Sequence, residues 1–208
     1  MKQFRTHVGI AAPLIIDNVD TDQIIPSREM KRISKSGLSE GLFAGWRYEY
    51  SGTEKTGLQE DFVLNLPAFA DASVLLGGRN FGCGSSREHA VWALHDFGFR
   101  VVIAASFGRI FYRNCARSGL LAIELPEEQV AIIAEQTTKD PQNNLVTVDL
   151  ERSVVETPAG DTFAFEVSAA DREMLLNGLD YIDYSLQYQD DIQAFEEKDK
   201  KARRWAYL

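Results

Sequence analysis

From Ser73 to Thr138 the chain alternates short apolar runs with stretches of helical periodicity, and few folds accommodate that alternation. The run SVLLGG (Ser73 to Gly78) reads as a strand buried on both faces. Behind Ser85 and Ser86, Ala90, Leu94 and Phe97 recur at helical spacing until Gly98 stops the pattern, and VVIAAS (Val101 to Ser106) reads as a second buried strand. A helix carrying Phe107, Ile110, Phe111 and Cys115 on one side, a stop at Gly119, the strand LLAIEL and a helix from about Glu127 to Thr138 continue the series. Strands of this kind separated by helices predict an α/β fold with a mostly parallel central sheet flanked by helices.

The flanking segments follow other rules. The first sixteen residues read as extended and run into the acidic, turn-prone stretch DNVDTDQIIP, which should be an exposed loop. From Ser34 to Asp61 no period persists, which predicts a long irregular excursion over the body. Beyond Pro141, Val146, Val148 and Leu150 alternate, as do Phe163, Phe165 and Val167, and TPAGDT between them predicts a β-hairpin turning at Ala159, Gly160 and Asp161. Helical spacing returns in the last forty residues, which end in a charge-dense stretch from Glu196 to Arg204 followed by Trp205 and Tyr207. That tail is either a solvated helix or an anchor for a partner. Repeats and low-complexity linkers are missing, so residues 1–208 are expected to form one domain.

Charge and cysteine usage narrow the function. With 31 acidic against 22 basic side chains in 208 residues, the net charge of −9 disfavours broad binding to nucleic acid or an anionic membrane. Any anion must be bound locally. Two cysteines, Cys83 and Cys115, make no disulfide framework, so a reducing, cytoplasmic setting is expected. The apolar stretch from Val8 to Ile16 is broken by Pro13 and followed by Asp17, Asp20 and Asp22, which does not fit a signal peptide, and no run approaches a membrane span.

The most specialised window is GGRNFGCGSSREH (Gly77 to His89), between a predicted strand and a predicted helix. Gly82 and Gly84 allow backbone to approach a ligand closely, and a helix N-terminus offers unpaired N–H groups with about half a positive charge. Ser85 and Glu88 have the spacing of a capping box, which accounts for one hydroxyl structurally. Ser86 is a second hydroxyl that the cap does not need, and Arg79 and Arg87 add donors suited to a carboxylate. A carboxylate or phosphate pocket follows. The window lacks the third glycine of a dinucleotide fingerprint, the G-K-[ST] of a P-loop and the G-x-S-x-G of a hydrolase elbow. His7, His89 and His95 lack metal-site spacing, so no metal is expected on this chain, and Cys83 has neither a base nor a resolving thiol to make it a nucleophile.

NFGCGSSREHAVWAL, with DTDQIIP near the N-terminus and FYRNCARSGLLAI further on, resembles the 3-isopropylmalate dehydratase small-subunit family along the whole chain. The resemblance implies the swivelling β/β/α domain of aconitase as a stand-alone chain, acting as a heterodimer with a large subunit that carries a 4Fe-4S cluster. It implies a hydro-lyase that interconverts 2-isopropylmalate and 3-isopropylmalate through 2-isopropylmaleate, in leucine biosynthesis, with the cluster iron as Lewis acid on the departing hydroxyl. Ser85 matches the serine that acts as base, Ser86 and Arg87 match substrate-binding neighbours, and Asp22 lies in the segment near the site. A second substrate-binding arginine is expected after DTDQIIP; of Arg28, Lys31 and Arg32, Arg32 is chosen.

An arginine about 4 Å from such a serine contributes at most roughly 4 kcal/mol at an effective dielectric near 20, or about three pKa units. Helix-terminal N–H groups and desolvation must supply the rest. Ser118 and Ala122 depart from the family run and suggest a retuned pocket floor, leaving citraconate or another substituted malate as an alternative substrate. A non-catalytic anion-binding regulatory module is the alternative of a different class.

Overall fold

The computed structural model describes residues 1–30, 36–84 and 88–207. Strand β1 (Thr6–Leu14) leads through two short helices, α1 (Thr21–Ile24) and α2 (Ala44–Arg47), and a hairpin of β2 (Tyr48–Ser51) and β3 (Glu54–Leu58) to strand β4 (Ala72–Gly77). Helix α3 (Glu88–Phe97), β5 (Val101–Ala104), α4 (Arg109–Arg117), β6 (Leu121–Glu124) and α5 (Glu127–Thr138) follow. The chain ends with β7 (Val146–Asp149), β8 (Val154–Glu156), β9 (Thr162–Ala164) and helices α6 (Ala169–Asn177), α7 (Tyr181–Leu186) and α8 (Gln189–Ala202).

Among the described residues the main sheet has seven strands in the order β6-β5-β4-β1-β7-β8-β9. The pairs β1–β4, β4–β5 and β5–β6 are parallel, as βαβ alternation requires. Strand β7 is antiparallel to β1, and β8 and β9 extend the sheet as an antiparallel meander. Five of the seven strands therefore point the same way. Strand β1 changes neighbours along its length: β7 pairs with Thr6 to Gly9, and β4 with Ile10 to Leu14. Among the described residues Pro13 thus stands where β1 has only β4 beside it, the edge-like setting that a strand proline requires.

The apolar runs are continuous because both faces of the parallel half are covered. Side chains alternate across the sheet, so Leu75, Val102 and Ala122 join one buried cluster with Leu94 of α3 and Phe111 of α4. Val74, Val101, Ile103 and Leu121 join another with Val130 and Ile133 of α5 and Leu175 of α6. These two layers hold the carboxyl ends of β1, β4 and β5 side by side.

Four expectations need correction. The stretch DNVDTDQIIP is not simply an exposed loop: Thr21–Ile24 form α1, and Val19, Thr21, Ile24 and Ile25 are buried. The predicted hairpin turn falls at the expected residues but joins β8 to β9; β8 intervenes between the two alternating runs, because a three-residue strand gives too short a pattern to detect. The described part of the 34–61 segment is built into the body: Leu38, Leu42, Phe43 and Ala44 are buried, Phe43 stacks on Trp46 at 5.7 Å, and 48–58 form a hairpin. These contacts come from turns without a repeat, so no period announces them. On α4, Ile110 faces solvent while Phe111, Asn114 and Cys115 are buried, which places the buried stripe one position further round the helix.

Candidate active site

Beyond the carboxyl ends of β1 and β4 the two strands continue side by side as loops, the position outside a parallel sheet where ligands bind in open α/β folds. The N–H of Asn18 donates to the carbonyl of Arg79 (2.8 Å), the N–H groups of Gly82 and Cys83 to that of Val19 (2.7 and 3.2 Å), and the N–H of Thr21 to that of Cys83 (3.0 Å). Side chains complete the lacing: the Arg79 N–H donates to Asp17 Oδ1 at 2.7 Å, and Asn80 Nδ2 donates to Asn18 Oδ1 at 2.9 Å. Both asparagines have left-handed backbone, which this short amide side chain tolerates better than most. A third loop, after β5, joins through Phe81 N–H to the Ser106 carbonyl (2.9 Å) and Gly108 N–H to the Phe81 carbonyl (2.8 Å).

Two of the glycines are required by contact. A Cβ on Gly108 would stand 2.5 Å from the carbonyl oxygen of Gly82, and one on Gly82, where φ is +72°, would enter the ring of Phe111. The loops therefore cross backbone to backbone over an aromatic floor made by Phe81, Phe107 and Phe111. Helix α3 starts at Glu88, just past this crossing in the chain, and buries Ala90, Val91, Ala93 and Leu94, which fixes its first turn toward the carboxyl edge of the sheet.

Of the predicted site residues, Asp22 is brought here. It is exposed on α1, whose N-cap Asp20 accepts from Gln23 N–H and bridges to Cys83 across the loop pair. Ser85, Ser86, Arg87 and Arg32 lie outside the described residues, as does Lys31, and with Ser85 the predicted capping box. Arg79 is in the loop but its guanidinium is ion-paired with Glu127 at the start of α5, so its charge is already committed. Ser118 is the C-cap of α4, which starts at the crossing and runs away from it, and it lines a separate cavity with Met1, Trp92 and His95. It forms no part of the floor beneath the glycine loop. Ala122 is buried in β6, at the sheet edge.

Several positioning residues escaped the sequence reading. Ser106 accepts from the Asn80 N–H at 2.8 Å, and Asn18 and Asn80 hold each other; the turn-prone DNVD and GRNFG stretches were the available signal. Asp96, in the last turn of α3, accepts from three consecutive N–H groups, of Gly37, Leu38 and Ser39, at 2.8 to 2.9 Å. It fixes the chain just after residues 31–35.

A 4Fe-4S cluster is held by cysteine thiolates, four in the usual site. Cys83 is half-buried with Sγ 3.5 Å from the Asn18 carbonyl, and Cys115 is fully buried, its thiol pushed well up by burial. These two do not supply such a ligand set, so the residues present do not fit a cluster held by this chain. Among the described residues no group of three or more His, Cys, Asp or Glu side chains could hold a metal ion. The histidines serve elsewhere: His7 Nε2 lies 2.8 Å from Ser73 Oγ, His95 packs near Arg100, and the His89 ring lies against Trp92. No helix among the described residues is long and apolar enough to cross a membrane.

Comparison with known proteins matches residues 1–128 to the aconitase C-terminal domain. A 3-isopropylmalate dehydratase small subunit of Cupriavidus necator is 50% identical over 208 residues, covering 100% of this chain and 99% of its own. One of Neisseria meningitidis is 45% identical over 212 residues, again covering 100% and 99%. A crystal structure of 3-isopropylmalate dehydratase from Methanocaldococcus jannaschii superposes with a TM-score of 0.65 at 30% identity, covering 92% of this chain and 99% of that one.

Proposed function

This chain belongs to the aconitase C-terminal domain family and, within it, to the small subunits of 3-isopropylmalate dehydratase, and from that premise we propose how its residues serve the reaction. It is a subunit of a hydro-lyase of leucine biosynthesis. The reaction we assign removes water from 2-isopropylmalate to give 2-isopropylmaleate and adds it back with the opposite regiochemistry to give 3-isopropylmalate. Residues 1–208 act as one swivelling unit in the cytoplasm, and the site is completed by a large subunit, to which the 4Fe-4S cluster is assigned.

The observation that supports this reading is the lacing of the 17–21 loop to the 79–83 loop at the carboxyl edge of the sheet, with Gly84 leading directly into Ser85. In the proposed mechanism Ser85 accepts the proton from the substrate C–H during dehydration and returns one during rehydration. Arg87 takes a substrate carboxylate through its planar fork and Ser86 adds a hydrogen bond. Arg32 holds the second carboxylate, and Asp22, on the rim that α1 forms, orders the polar end of the substrate. Closure against the large subunit excludes water, which strengthens each of these interactions.

The test is Ser85→Ala in the reconstituted two-subunit enzyme. Hydration of 2-isopropylmaleate is expected to fall at least about a thousandfold, with copurification and melting temperature unchanged. Near-full activity in that variant would remove the catalytic role and favour an anion-binding function. If the wild-type pair ignores 2-isopropylmaleate but hydrates citraconate, the reaction class stands and the substrate assignment fails.

A further inference from the structure

Asp96 is half-buried in the last turn of α3, and its Oδ2 accepts from the N–H groups of Gly37 (2.9 Å), Leu38 (2.8 Å) and Ser39 (2.8 Å). Three consecutive amides converge on one anionic oxygen, and each such bond is roughly twice as strong as a neutral one. The next residue of the helix holds the same turn from its other side. The Arg47 guanidinium carbon lies 5.0 Å from the centre of the Phe97 ring, and Arg47 Nη1 donates to the Ser39 carbonyl at 2.9 Å. The 37–39 turn is therefore fixed to the end of α3 through its amides and through a carbonyl.

The same stretch is tied to the chain that precedes residue 31. A Cβ on Gly41 would stand 2.7 Å from the Cβ of Glu29, so the two stretches touch. Lys55 Nζ, from β3, donates to Glu29 Oε2 at 3.1 Å and to the Glu40 carbonyl at 3.0 Å, which closes them together. The chain before residue 31 and the chain after residue 35 thus share one clamped base, and Asp96 anchors that base to α3.

The other end of α3 adjoins the glycine window. Arg87 immediately precedes Glu88, the first residue of the helix, and Ser85 lies two residues earlier in the chain. Ala90, Val91, Ala93 and Leu94 bury the helix in the core, and its ten residues span about 15 Å. One rigid rod therefore follows the Ser85–Arg87 segment at its start and holds the base of the Arg32 segment at its end.

We propose that Asp96 is a positioning residue for substrate binding: by anchoring the 37–39 turn to α3, it keeps the segment that carries Arg32 in register with the segment that carries Ser85 and Arg87, so that both carboxylates of one substrate are met together. This rests on the roles assigned to Arg32 and Arg87 under the proposed function, and adds a residue that acts only through the turn it holds. A released turn leaves the binding-competent arrangement fractionally populated, and apparent affinity falls by that fraction.

The test is steady-state hydration of 2-isopropylmaleate by the reconstituted two-subunit enzyme. Asp96→Ala is expected to raise KM about tenfold and leave kcat within about twofold, because the lost anchor weakens ground state and transition state alike. Asp96→Asn keeps an oxygen for the amides, and its KM is expected within about threefold of the wild type. In an Arg32→Ala background, itself raised in KM, Asp96→Ala should add less than about twofold, since the segment it positions no longer grips the substrate. An unchanged KM in Asp96→Ala would overturn the proposal, and so would a fall in kcat alone, the mark of a merely structural role. A tenfold rise that persists undiminished beside Arg32→Ala would overturn it too, by showing that Asp96 acts elsewhere. A silent Arg32→Ala would instead remove the role assigned to Arg32, and the positioning role with it.

Discussion

Gly82 sits so close to Phe111 that a Cβ on the glycine would stand 2.2 Å from Cγ of the ring, so the site loop rests directly on a core side chain. Gly82→Ala must hold a left-handed backbone and displace that ring, at an expected cost of about 2–4 kcal/mol. Phe111→Ala alone should cost about 3–5 kcal/mol through the cavity it leaves. In the double variant the new methyl enters that cavity, so urea unfolding should give a loss smaller than the sum. Strict additivity would show that the contact carries no coupling.

The two arginines of the glycine window should separate kinetically. Arg79 is exposed and bound to Glu127, so Arg79→Ala should leave KM and kcat within about twofold and stability within about 1 kcal/mol. Arg87→Lys keeps the charge and loses the fork, and KM for the dicarboxylate should rise about tenfold or more. A large KM effect from Arg79→Ala, with none from Arg87→Lys, would exchange their assignments.

Asp96 gathers three N–H groups of the 37–39 turn onto one carboxylate. Asp96→Ala strands all three and should cost about 2 kcal/mol in chemical denaturation. Hydrogen exchange at Gly37, Leu38 and Ser39 should quicken while the β4 and β5 amides keep their protection. Equal loss of protection across the sheet would mean that the variant acts globally.

Stability should fall on mild acidification. Burial, followed by the nearby Arg100 and Lys2 charges, lowers the pKa of His7 below its usual 6.5; burial and then Arg100 lower that of His95, partly opposed by Asp96. Below pH 6.5 the unfolded chain binds protons that the folded histidines refuse, so their contribution is complete above 6.5 and shrinks as pH falls toward the folded values. The urea midpoint of the wild type should drop between pH 7 and pH 5.5, and less so for a His7→Gln, His95→Gln double variant. Parallel curves for the two proteins would contradict this origin.

What could be read from the sequence follows from how each element is stabilised. β4, β5 and β6 are buried on both faces by helices adjacent in sequence, so Val101 to Ala104 and the series Ala90, Leu94 and Phe97 carry their environment in their spacing. Leu38, Leu42 and Phe43 are held by turns and by Asp96, nearly sixty residues away, and nothing periodic marks them. The glycine window was legible as a close approach, and Gly82 does approach Phe111 and the third loop closely. That this approach is to the chain itself, and that Asn18 and Asn80 clasp the two loops, depends on β1 and β4 being neighbours across sixty residues of chain, which local pattern does not encode.

The change of neighbour along β1 bears on where this polypeptide can be cut. The match to the aconitase C-terminal domain stops at residue 128, before β7, and among the described residues β7 alone pairs with Thr6 to Gly9. A truncation there would preserve the parallel half yet leave the front of its longest strand with raw amides and carbonyls, and such an edge recruits other polypeptides. The antiparallel meander therefore works as a guard against aggregation as much as a piece of the sheet.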